Sequence, residues 1–203
     1  MKDKKILAIF GGSFNPPLNS HFSLAEQMLT EYKEIEKVIF VPVSTKYNKK
    51  GLLSNEHRYN MLNIVCEENE NFEVSDIELK QDKQLDTLET MQLLQKEYPD
   101  YTLCFTMGTD NLKLISEWGL AKELVTSFKF LVIERDEDSM DEIINADKFL
   151  LDHKDAFMKV KENIRSNISS TFVREKIKRG KSIRYLTPDK VYFYIKENNL
   201  YNI

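Results

Sequence analysis

A short loop at residues 11–21 combines residue types that suit phosphate binding. It follows an apolar run at residues 6–10 that predicts a buried strand, and it precedes a pattern that predicts a helix. Gly11 and Gly12 allow the backbone to approach a ligand closely, and the free N–H groups at a helix start attract anions. His21 falls in the first helical turn, where a ring nitrogen can donate to a phosphate oxygen. The alternative is an ordinary strand-to-helix turn with His21 on the surface.

This loop matches neither of the two common nucleotide-binding patterns. It is not G-x-G-x-x-G, and the pattern G-x-x-x-x-G-K-[ST] occurs nowhere in the chain. Dinucleotide-binding and Walker-type interpretations therefore lose support, and the anion chemistry of the loop has to be judged on its own residues.

Short apolar runs alternate with amphipathic patterns along the chain. The sequence predicts strands at residues 6–10, 38–43, 72–79, 101–107 and 128–133. It predicts helices around residues 25–32, after Ser54 as cap, at 87–97, at 169–178, and at 188–198 with Thr187 as cap and Pro188 in the first helical position. This alternation predicts a doubly wound α/β fold, in which ligands lie at the carboxyl ends of the strands. The segment at residues 136–165 is more charged and less periodic, and no element is assigned to it.

Composition limits the classes of protein to consider. The chain has 203 residues, of which 41% are hydrophobic and 31% charged, with six Gly and five Pro, as is typical of a globular protein. Its formal net charge of −4 argues against a protein that coats nucleic acid or an anionic membrane. Cys66 and Cys104 have no Cys or His at metal-ligand spacing, so we expect two buried, reduced thiols, as in the cytosol. The first apolar stretch ends at Gly11, too short for a signal peptide or a membrane span.

Residues 11–21 resemble the signature of the nucleotidyltransferase superfamily related to class I tRNA synthetases, a Gly-x-Phe-x-Pro loop followed by His/Thr-x-Gly-His. Further segments are similar to the nicotinate-mononucleotide adenylyltransferase branch: residues 107–112 with Trp118, residues 168–171 with Arg174, and the ending at residues 194–201. In order and spacing these segments cover nearly the whole chain. The resemblance implies an enzyme that moves the AMP of ATP onto nicotinate mononucleotide, giving deamido-NAD and pyrophosphate in NAD biosynthesis.

The resemblance also implies an ATP site built from strand ends and helix starts. Its residues would be Gly11, Gly12, Ser13, Phe14, His21, Gly108, Asp110, Ile168, Ser169, Thr171 and Arg174. His21 and Arg174 would be the catalytic pair, with His21 donating to the phosphates and the Arg174 guanidinium beside the β and γ phosphates. Asp110 would accept from the ribose hydroxyls. Taken alone, Asp110 is equally suited to cap a helix, and the hydroxyls around Ser169 to cap the next one.

A reaction of this kind needs no nucleophile from the protein. The acceptor's phosphate attacks the α-phosphorus of ATP and pyrophosphate leaves, so catalysis consists mostly of positioning and charge neutralisation. The resemblance implies Mg²⁺ that enters with ATP and bridges phosphate oxygens, and it implies no metal ligands from the chain.

The resemblance implies that the protein binds the acceptor through an aromatic ring, hydroxyl groups and a cationic side chain. Trp118, the only tryptophan, would stack on the pyridine ring, and Thr87 and Thr90 would hold the nicotinate carboxylate. Lys49, together with Lys46, would reach the mononucleotide phosphate. Taken alone, a single Trp is more often a core residue, the threonines fit a helix start and the lysines fit a solvated loop.

Several positions depart from the family pattern. The family normally has His or Thr, then Gly, where this chain has Leu18 and Ser20, and Leu18 cannot hydrogen-bond to phosphate. Asn15 stands where Asp is common, and residues 47–49, Tyr-Asn-Lys, stand where the nicotinate branch has Pro-His-Lys. Two alternatives therefore stay open: an adenylyltransferase for another phosphate ester, and a nucleotide-binding family member with weak or lost catalysis.

We expect one nucleotidyltransferase domain over residues 1–203. It would consist of a Rossmann-like parallel sheet with helices on both faces up to about residue 165, and a small helical C-terminal part over about residues 166–203. The expected partners are ATP and a small phosphate ester, nicotinate mononucleotide first, with no nucleic acid and no membrane. The expected location is the cytoplasm, and the sequence predicts no oligomeric state.

Overall fold

The first apolar run forms the central strand of a parallel sheet. The computed structural model describes residues 5–47, 51–135, 137–161 and 166–201. The strands are β1 Ile6–Gly12, β2 Ile35–Pro42, β3 Phe72–Val74, β4 Thr102–Gly108, β5 Lys129–Ile133 and β6 Phe157–Lys159. The helices are α1 Asn19–Glu31, α2 Asn55–Cys66, α3 Thr87–Glu97, α4 Thr109–Leu112, α5 Ala121–Ser127, α6 Met140–Ala146, α7 Lys148–Asp152, α8 Ser170–Lys178 and α9 Asp189–Glu197.

The strands lie in the order β3-β2-β1-β4-β5-β6, and all neighbours are parallel. Ala8 of β1 pairs with Val38 of β2 on one side and with Cys104 of β4 on the other. The chain fills the β2 side of the sheet first and then returns to the β4 side, so the strand order reverses beside β1. This reversal is the point at which doubly wound sheets bind ligands. The predicted fold class is confirmed.

Both faces of the sheet are covered by helices. Successive residues of a strand point to opposite faces, and this separates Ala8 from Leu7 and Ile9. Ala8 belongs to a buried cluster that includes side chains of α1, α2, α8 and α9. Leu7 and Ile9 belong to a second cluster with α3, α5, α6 and α7. Because the central strands are buried on both faces, they appear in the sequence as nearly continuous apolar runs.

The strand predicted over residues 72–79 is wrong beyond Val74. After that residue the chain turns, because the carbonyl of Asp76 accepts hydrogen bonds from the amides of Leu79 and Lys80. The alternation of apolar and polar residues breaks at Asp76, the second of two consecutive polar residues, and resumes with Ile77 and Leu79. The break marks the turn, and the prediction overlooked it because apolar residues recur beyond it.

The unassigned segment at residues 136–165 contains α6, α7 and β6. These elements have seven, five and three residues. Elements this short leave no periodic pattern, because the pattern is read over a window of about 11 to 18 residues. The starts of the two helices are nevertheless marked by side-chain caps, Ser139 for α6 and Asp147 for α7.

Capping residues were predicted with mixed success. Ser54 caps α2 as predicted, through a hydrogen bond from the His57 amide. The predicted start of α9 is wrong by one residue, because Pro188 has extended dihedrals (φ −53°, ψ 146°) and helical dihedrals begin only at Asp189. The predicted cap Thr187 is also wrong. Its side chain is buried, and its hydroxyl has no hydrogen-bond partner within the described part of the chain.

The two C-terminal helices share a core with the sheet. Val173 of α8 and Ile195 of α9 lie in the same buried cluster as Ala8 of β1. The division into a core and a C-terminal subdomain near residue 166 stays a prediction.

The cysteine prediction is confirmed. Cys66 and Cys104 are both free and buried. Burial raises the pKa of each thiol to about 12, so neither is a thiolate near neutral pH. Within the described ranges, no helix has the length and apolar character needed to cross a membrane.

Candidate active site

A cavity of about 890 Å³ lies at the carboxyl ends of β1, β4 and β5. Its lining includes eight of the residues predicted for the ATP site: Gly11, Gly12, Ser13, Phe14, His21, Gly108, Ile168 and Ser169. The other three, Asp110, Thr171 and Arg174, do not belong to this lining. The fold therefore brings the first loop, the end of β4 and the start of α8 together, although they are far apart in the sequence.

The loop between β1 and α1 is held in place by a buried ring. Phe14 is 2% exposed and packs edge-on against Phe40, with ring centroids 5.7 Å apart. Its φ of 43° lies in the left-handed region that side-chain-bearing residues rarely adopt. A Cβ at Gly12 would lie 3.0 Å from the Phe14 ring, so glycine gives the ring its space. The buried ring thus fixes the loop backbone that lines the cavity.

His21 is the third residue of α1, and its half-buried ring lines the cavity. Its Nδ1 accepts a hydrogen bond of 2.9 Å from the backbone N–H of Leu18, so the proton of the neutral ring lies on Nε2. Burial lowers the pKa of His21 to about 4, and the positive charge of Arg135 adds to this shift. At pH 7 the ring is therefore neutral and offers one N–H donor, which suits a phosphate oxygen.

The N-terminus of α8 lies at the same cavity. The Ser169 hydroxyl accepts a hydrogen bond of 3.1 Å from the amide of Phe172 and so caps the helix, the plain role considered from sequence. The Ser170 hydroxyl donates to the carbonyl of Pro16 at 2.8 Å and ties α8 to the first loop. Both serines line the cavity, so the first turn of α8, at the positive end of the helix dipole, lies where it can bind an anion in the cavity.

Arg174 lies one turn further along α8 and already has partners. Its Nη1 donates to the carbonyl of Asn15 at 2.8 Å, and its Nη2 donates to the hydroxyl of Thr171 at 3.0 Å. The half-buried guanidinium therefore holds the first loop against α8. The predicted contact of Arg174 with the β and γ phosphates would require the guanidinium to leave these partners, and it stays a prediction. The predicted ATP contact of Thr171 also stays a prediction.

Asp110 lies in the first turn of α4, just past the end of β4. The cap of α4 is Gly108, so the capping role considered for Asp110 is wrong. Its carboxylate pairs with Arg135, with 3.3 Å between Oδ2 and Nη1, and the two side chains are 55% and 60% exposed. A Cβ at Gly108 would overlap the Asp110 carboxylate and lie 2.6 Å from Nε of Arg135, so the absent side chain makes room for this pair.

Arg135 is a cavity residue that the sequence analysis missed. It follows the last residue of β5 by two positions and lines the cavity. Its charge reaches His21, whose pKa it lowers. A signal was present in the sequence, because the carboxyl end of each buried parallel strand is a candidate ligand contact, and Arg135 follows the predicted strand at residues 128–133.

Of the residues predicted for the acceptor, Thr87, Thr90 and Trp118 lie in the described ranges and do not line this cavity. Thr87 is the first residue of α3, which is capped by Asp86. Thr90 is 2% exposed, and its hydroxyl donates to Oε1 of Glu78 at 2.9 Å. Trp118 is half-buried and packs against the second buried cluster, in agreement with its plain role as a core residue. Lys46 is exposed, and Lys49 lies outside the described residues, so the acceptor contacts stay predictions.

Comparisons with known proteins place the chain in a family. A family model described as cytidylyltransferase-like matches residues 9–176, which include every segment that lines the cavity. The chain is 34% identical over 196 residues to the probable nicotinate-nucleotide adenylyltransferase of Carboxydothermus hydrogenoformans, with 96% of this chain and 97% of the relative covered. The protein of the same name from Clostridium tetani is 35% identical over 202 residues, with 96% and 98% covered. The chain belongs to the nicotinate-nucleotide adenylyltransferase family.

Solved structures of similar adenylyltransferases share this fold. The Plasmodium falciparum nicotinic acid mononucleotide adenylyltransferase complexed with APC superposes with a TM-score of 0.76 at 22% identity. The same enzyme complexed with NaAD gives a TM-score of 0.74 at 23% identity. Both comparisons cover 97% of each chain, and at these identities the likeness concerns the fold.

Within this adenylyltransferase family member, Leu18 departs from the signature that the sequence resembles. Its side chain is 1% exposed, lies in the first buried cluster and forms part of the cavity wall. Its backbone N–H orients His21, but the side chain itself offers no donor to a phosphate. The wall of the cavity is therefore apolar at this position.

Proposed function

We propose that this chain transfers the AMP of ATP to nicotinate mononucleotide, giving deamido-NAD and pyrophosphate in NAD biosynthesis. The names and full-length similarity of its relatives support this activity. The structural observation that supports it best is the neutral ring of His21, whose Nδ1 is occupied by the Leu18 amide while the ring lines a cavity shared with the start of α8. This arrangement offers an N–H donor and helix amides to one anionic ligand.

The chemistry needs positioning and charge neutralisation from the protein. A phosphate oxygen of the acceptor forms a bond to the α-phosphorus of ATP, and the bond from that phosphorus to the bridging oxygen breaks, with the electron pair leaving on pyrophosphate. We propose that the first-loop amides and the start of α8 hold the triphosphate. Nε2–H of His21 would donate to a phosphate oxygen on which charge builds, and Arg135 would offset charge nearby. Asp110 is proposed for the ribose hydroxyls, and Arg174 for the β and γ phosphates.

Mg²⁺ is proposed to enter with ATP. In the described part of the chain, no group of three or more His, Cys, Asp or Glu side chains could hold a metal ion. A magnesium ion bound mainly by phosphate oxygens and water fits these residues, because Mg²⁺ usually keeps several waters and binds through substrate phosphates. When bound, it would neutralise phosphate charge. We also propose a cytoplasmic location, which the two free thiols support.

The direct test uses purified protein, Mg-ATP and a panel of phosphate esters, with pyrophosphate release as the readout. The panel contains nicotinate mononucleotide, nicotinamide mononucleotide and unrelated phosphate monoesters, and a reaction without acceptor measures simple ATP hydrolysis. We expect release that depends on nicotinate mononucleotide, together with deamido-NAD identified by mass spectrometry. Release with a different ester only would replace the proposed acceptor.

A second candidate function rests on Leu18. Its apolar, 1% exposed side chain removes one phosphate donor from the signature that the sequence resembles, which favours a nucleotide-binding protein with weak or lost turnover. Loss of one preorganised donor costs about 10²- to 10³-fold in rate when that donor acts in the transition state, so a slow enzyme is the nearer expectation. ATP binding measured by calorimetry without pyrophosphate release from any acceptor would select the binding function.

A further inference from the structure

Arg58 is a buried cation that the proposed chemistry does not use. It lies in the first turn of α2 and is 0% exposed. Its guanidinium donates three hydrogen bonds: Nη1 to the carbonyl of Ser13 at 3.1 Å, Nε to the carbonyl of Leu53 at 3.1 Å, and Nη2 to Oδ1 of Asn55 at 2.8 Å. Burying a charge is costly even when it is hydrogen-bonded, so stability alone is a weak reason for an arginine here.

The acceptors of Arg58 belong to two different loops. Ser13 lies in the loop after β1, which lines the cavity. Leu53 and Asn55 belong to the segment that follows β2 and begins α2. Oδ1 of Asn55 also accepts from the amide of Thr45 at 2.8 Å, and Thr45 lies three positions past the end of β2. One side chain therefore links the loops at the carboxyl ends of two neighbouring strands.

Asn15 makes a second tie between the same loops. Its Nδ2 donates to the carbonyl of Gly51 at 2.8 Å, and its Oδ1 accepts from the amide of Leu53 at 3.3 Å. Asn15 is 2% exposed, so these bonds are shielded from water. Hydrogen bonds at both Ser13 and Asn15 therefore join the first loop to the segment at residues 51–55.

A second buried ionisable group, Glu78, lies close enough to Arg58 to affect its pKa. Burial lowers the pKa of Arg58, and the carboxylate of Glu78 opposes that change. Burial also raises the pKa of Glu78, which accepts hydrogen bonds from the Thr90 hydroxyl and the Ser44 amide. Arg58 donates hydrogen bonds to three acceptors that lie in different directions. A planar guanidinium has several N–H donors in fixed positions and can do this, whereas a lysine ammonium carries the same charge without that fixed geometry.

We propose that Arg58 is a positioning residue for the transfer reaction. By bonding Ser13 and residues 53–55 at once, it fixes the loop that binds the ATP phosphates relative to the loop after β2, on which we place the acceptor's phosphate. It thereby sets the line along which one phosphate approaches the other. The proposal rests on the proposed function.

The test is the variant Arg58→Lys, assayed in steady state for KM and in single turnover for the transfer rate, so that product release does not mask the transfer step. Each substrate still contacts its own loop, so we expect the KM for ATP and for nicotinate mononucleotide to change by less than about threefold. The transfer rate is expected to fall by about 10- to 100-fold, because a displacement of about 1 Å between reacting groups costs that much.

Val65→Ala serves as the matched control for lost stability. Val65 is a buried residue on the same helix, in the first cluster, and it is absent from the cavity lining. We expect Val65→Ala to lower the melting temperature while leaving the transfer rate unchanged. An equal loss of rate in both variants at an equal loss of melting temperature would overturn the proposal, as would a rise in KM with an unchanged rate in Arg58→Lys.

A second readout separates this proposal from the proposed function. If the wild-type protein does not turn over nicotinate mononucleotide, the proposed function fails, but the coupling of the loops is still measurable by amide hydrogen exchange. In Arg58→Lys the amides of Thr45 and Leu53 are expected to exchange at least about tenfold faster, because Asn55 and Asn15 lose their fixed positions. Unchanged exchange at both amides would show that Arg58 does not hold the loops together.

Discussion

At the scale of single residues, the role of His21 depends on which ring nitrogen carries the proton. The Leu18 amide occupies Nδ1, burial and Arg135 keep the ring uncharged, and Nε2–H is the resulting donor. A neutral donor suits a site that meets a triphosphate and its counter-ions, because the ring does not have to gain or lose a proton during the reaction. The transfer step then needs no titration of His21 near neutral pH.

The low pKa of His21 predicts how stability depends on pH. The pKa is about 4 in the folded protein and 6.5 for an ordinary histidine, as in the unfolded chain. Between these pH values the unfolded chain therefore binds more protons than the folded protein. The contribution of His21 is therefore complete above pH 6.5 and is lost as the pH falls towards 4, by about 1–3 kcal/mol for a partly shielded ring. We expect urea unfolding at pH 7 and pH 4.5 to show a larger loss in the wild type than in His21→Gln, which cannot titrate. Equal losses would mean that the ring titrates normally.

Leu18 is a position at which we expect a substitution to raise activity. The signature that the sequence resembles has His or Thr at this position, and the Leu18 side chain forms part of the cavity wall. We expect Leu18→His to raise the rate of pyrophosphate release by about tenfold or more, because a donor is restored next to the phosphates. Leu18→Met, which keeps the wall apolar, should leave the rate close to that of the wild type. A fall in rate in the histidine variant alone would argue that the wall has adapted to leucine.

At the scale of elements, the turn from β4 into α4 depends on the space that Gly108 leaves. Its φ of −84° is open to any residue, so its backbone conformation does not require glycine. A Cβ there would instead displace the Asp110 and Arg135 side chains, whose exposed ion pair is worth at most about 1 kcal/mol. Glycine at this turn therefore matters more for the position of the Asp110 and Arg135 side chains than for the stability of the sheet.

We accordingly expect Gly108→Ala to affect binding more than stability. The melting temperature should change little, while the KM for ATP should rise by about tenfold, equivalent to about 1.4 kcal/mol of lost ribose and phosphate contact. Gly119→Ala is the matched control, because a Cβ at Gly119 meets no atom within 4 Å. An unchanged KM in Gly108→Ala would remove Asp110 and Arg135 from the nucleotide site.

The elements also show what local sequence can predict. Four of the five predicted strands correspond to long strands in the structure, because strands buried on both faces are nearly all apolar. The strand at residues 72–79 was predicted too long, and β6, with three residues, was not predicted at all. Such short elements depend on pairing with a neighbour, which a window along the chain does not contain.

In the candidate site, too, features local in the sequence were predicted, whereas features that depend on tertiary contacts were not. The loop at residues 11–21 was predicted because its glycines and His21 lie close together in the sequence. The roles of Arg58 and Arg135 and the present partners of Arg174 depend on tertiary contacts. Arg174, for example, bonds to Asn15, 159 positions earlier in the sequence. Residue type identified the chemistry of the site, whereas the hydrogen-bond partner of each charged group depends on the fold.

At the scale of the whole molecule, the chain closes on its own first loop. The hydroxyl of Tyr201, near the C-terminus, donates to Oδ1 of Asn15 at 2.8 Å across 186 residues. Both residues are buried, and burial raises the pKa of Tyr201, so the phenol keeps the proton that it donates. Because Asn15 also bonds the segment at residues 51–55, the last turn of the chain helps to hold the cavity loop in place.

Tyr201→Phe tests this closure with the loss of a single oxygen. Asn15 keeps the Leu53 amide as a donor, so we expect the free energy of unfolding to fall by about 0.5–1.5 kcal/mol, the usual worth of one buried hydrogen bond. The matched control is Tyr185→Phe, because that tyrosine is 88% exposed and surface substitutions change stability by less than about 0.5 kcal/mol. Urea unfolding of both variants gives the comparison. Equal stability of the two would show that the Tyr201 hydroxyl contributes nothing to the fold. A loss confined to Tyr201→Phe would show that this hydrogen bond helps to hold the segment at Tyr201 against the first loop.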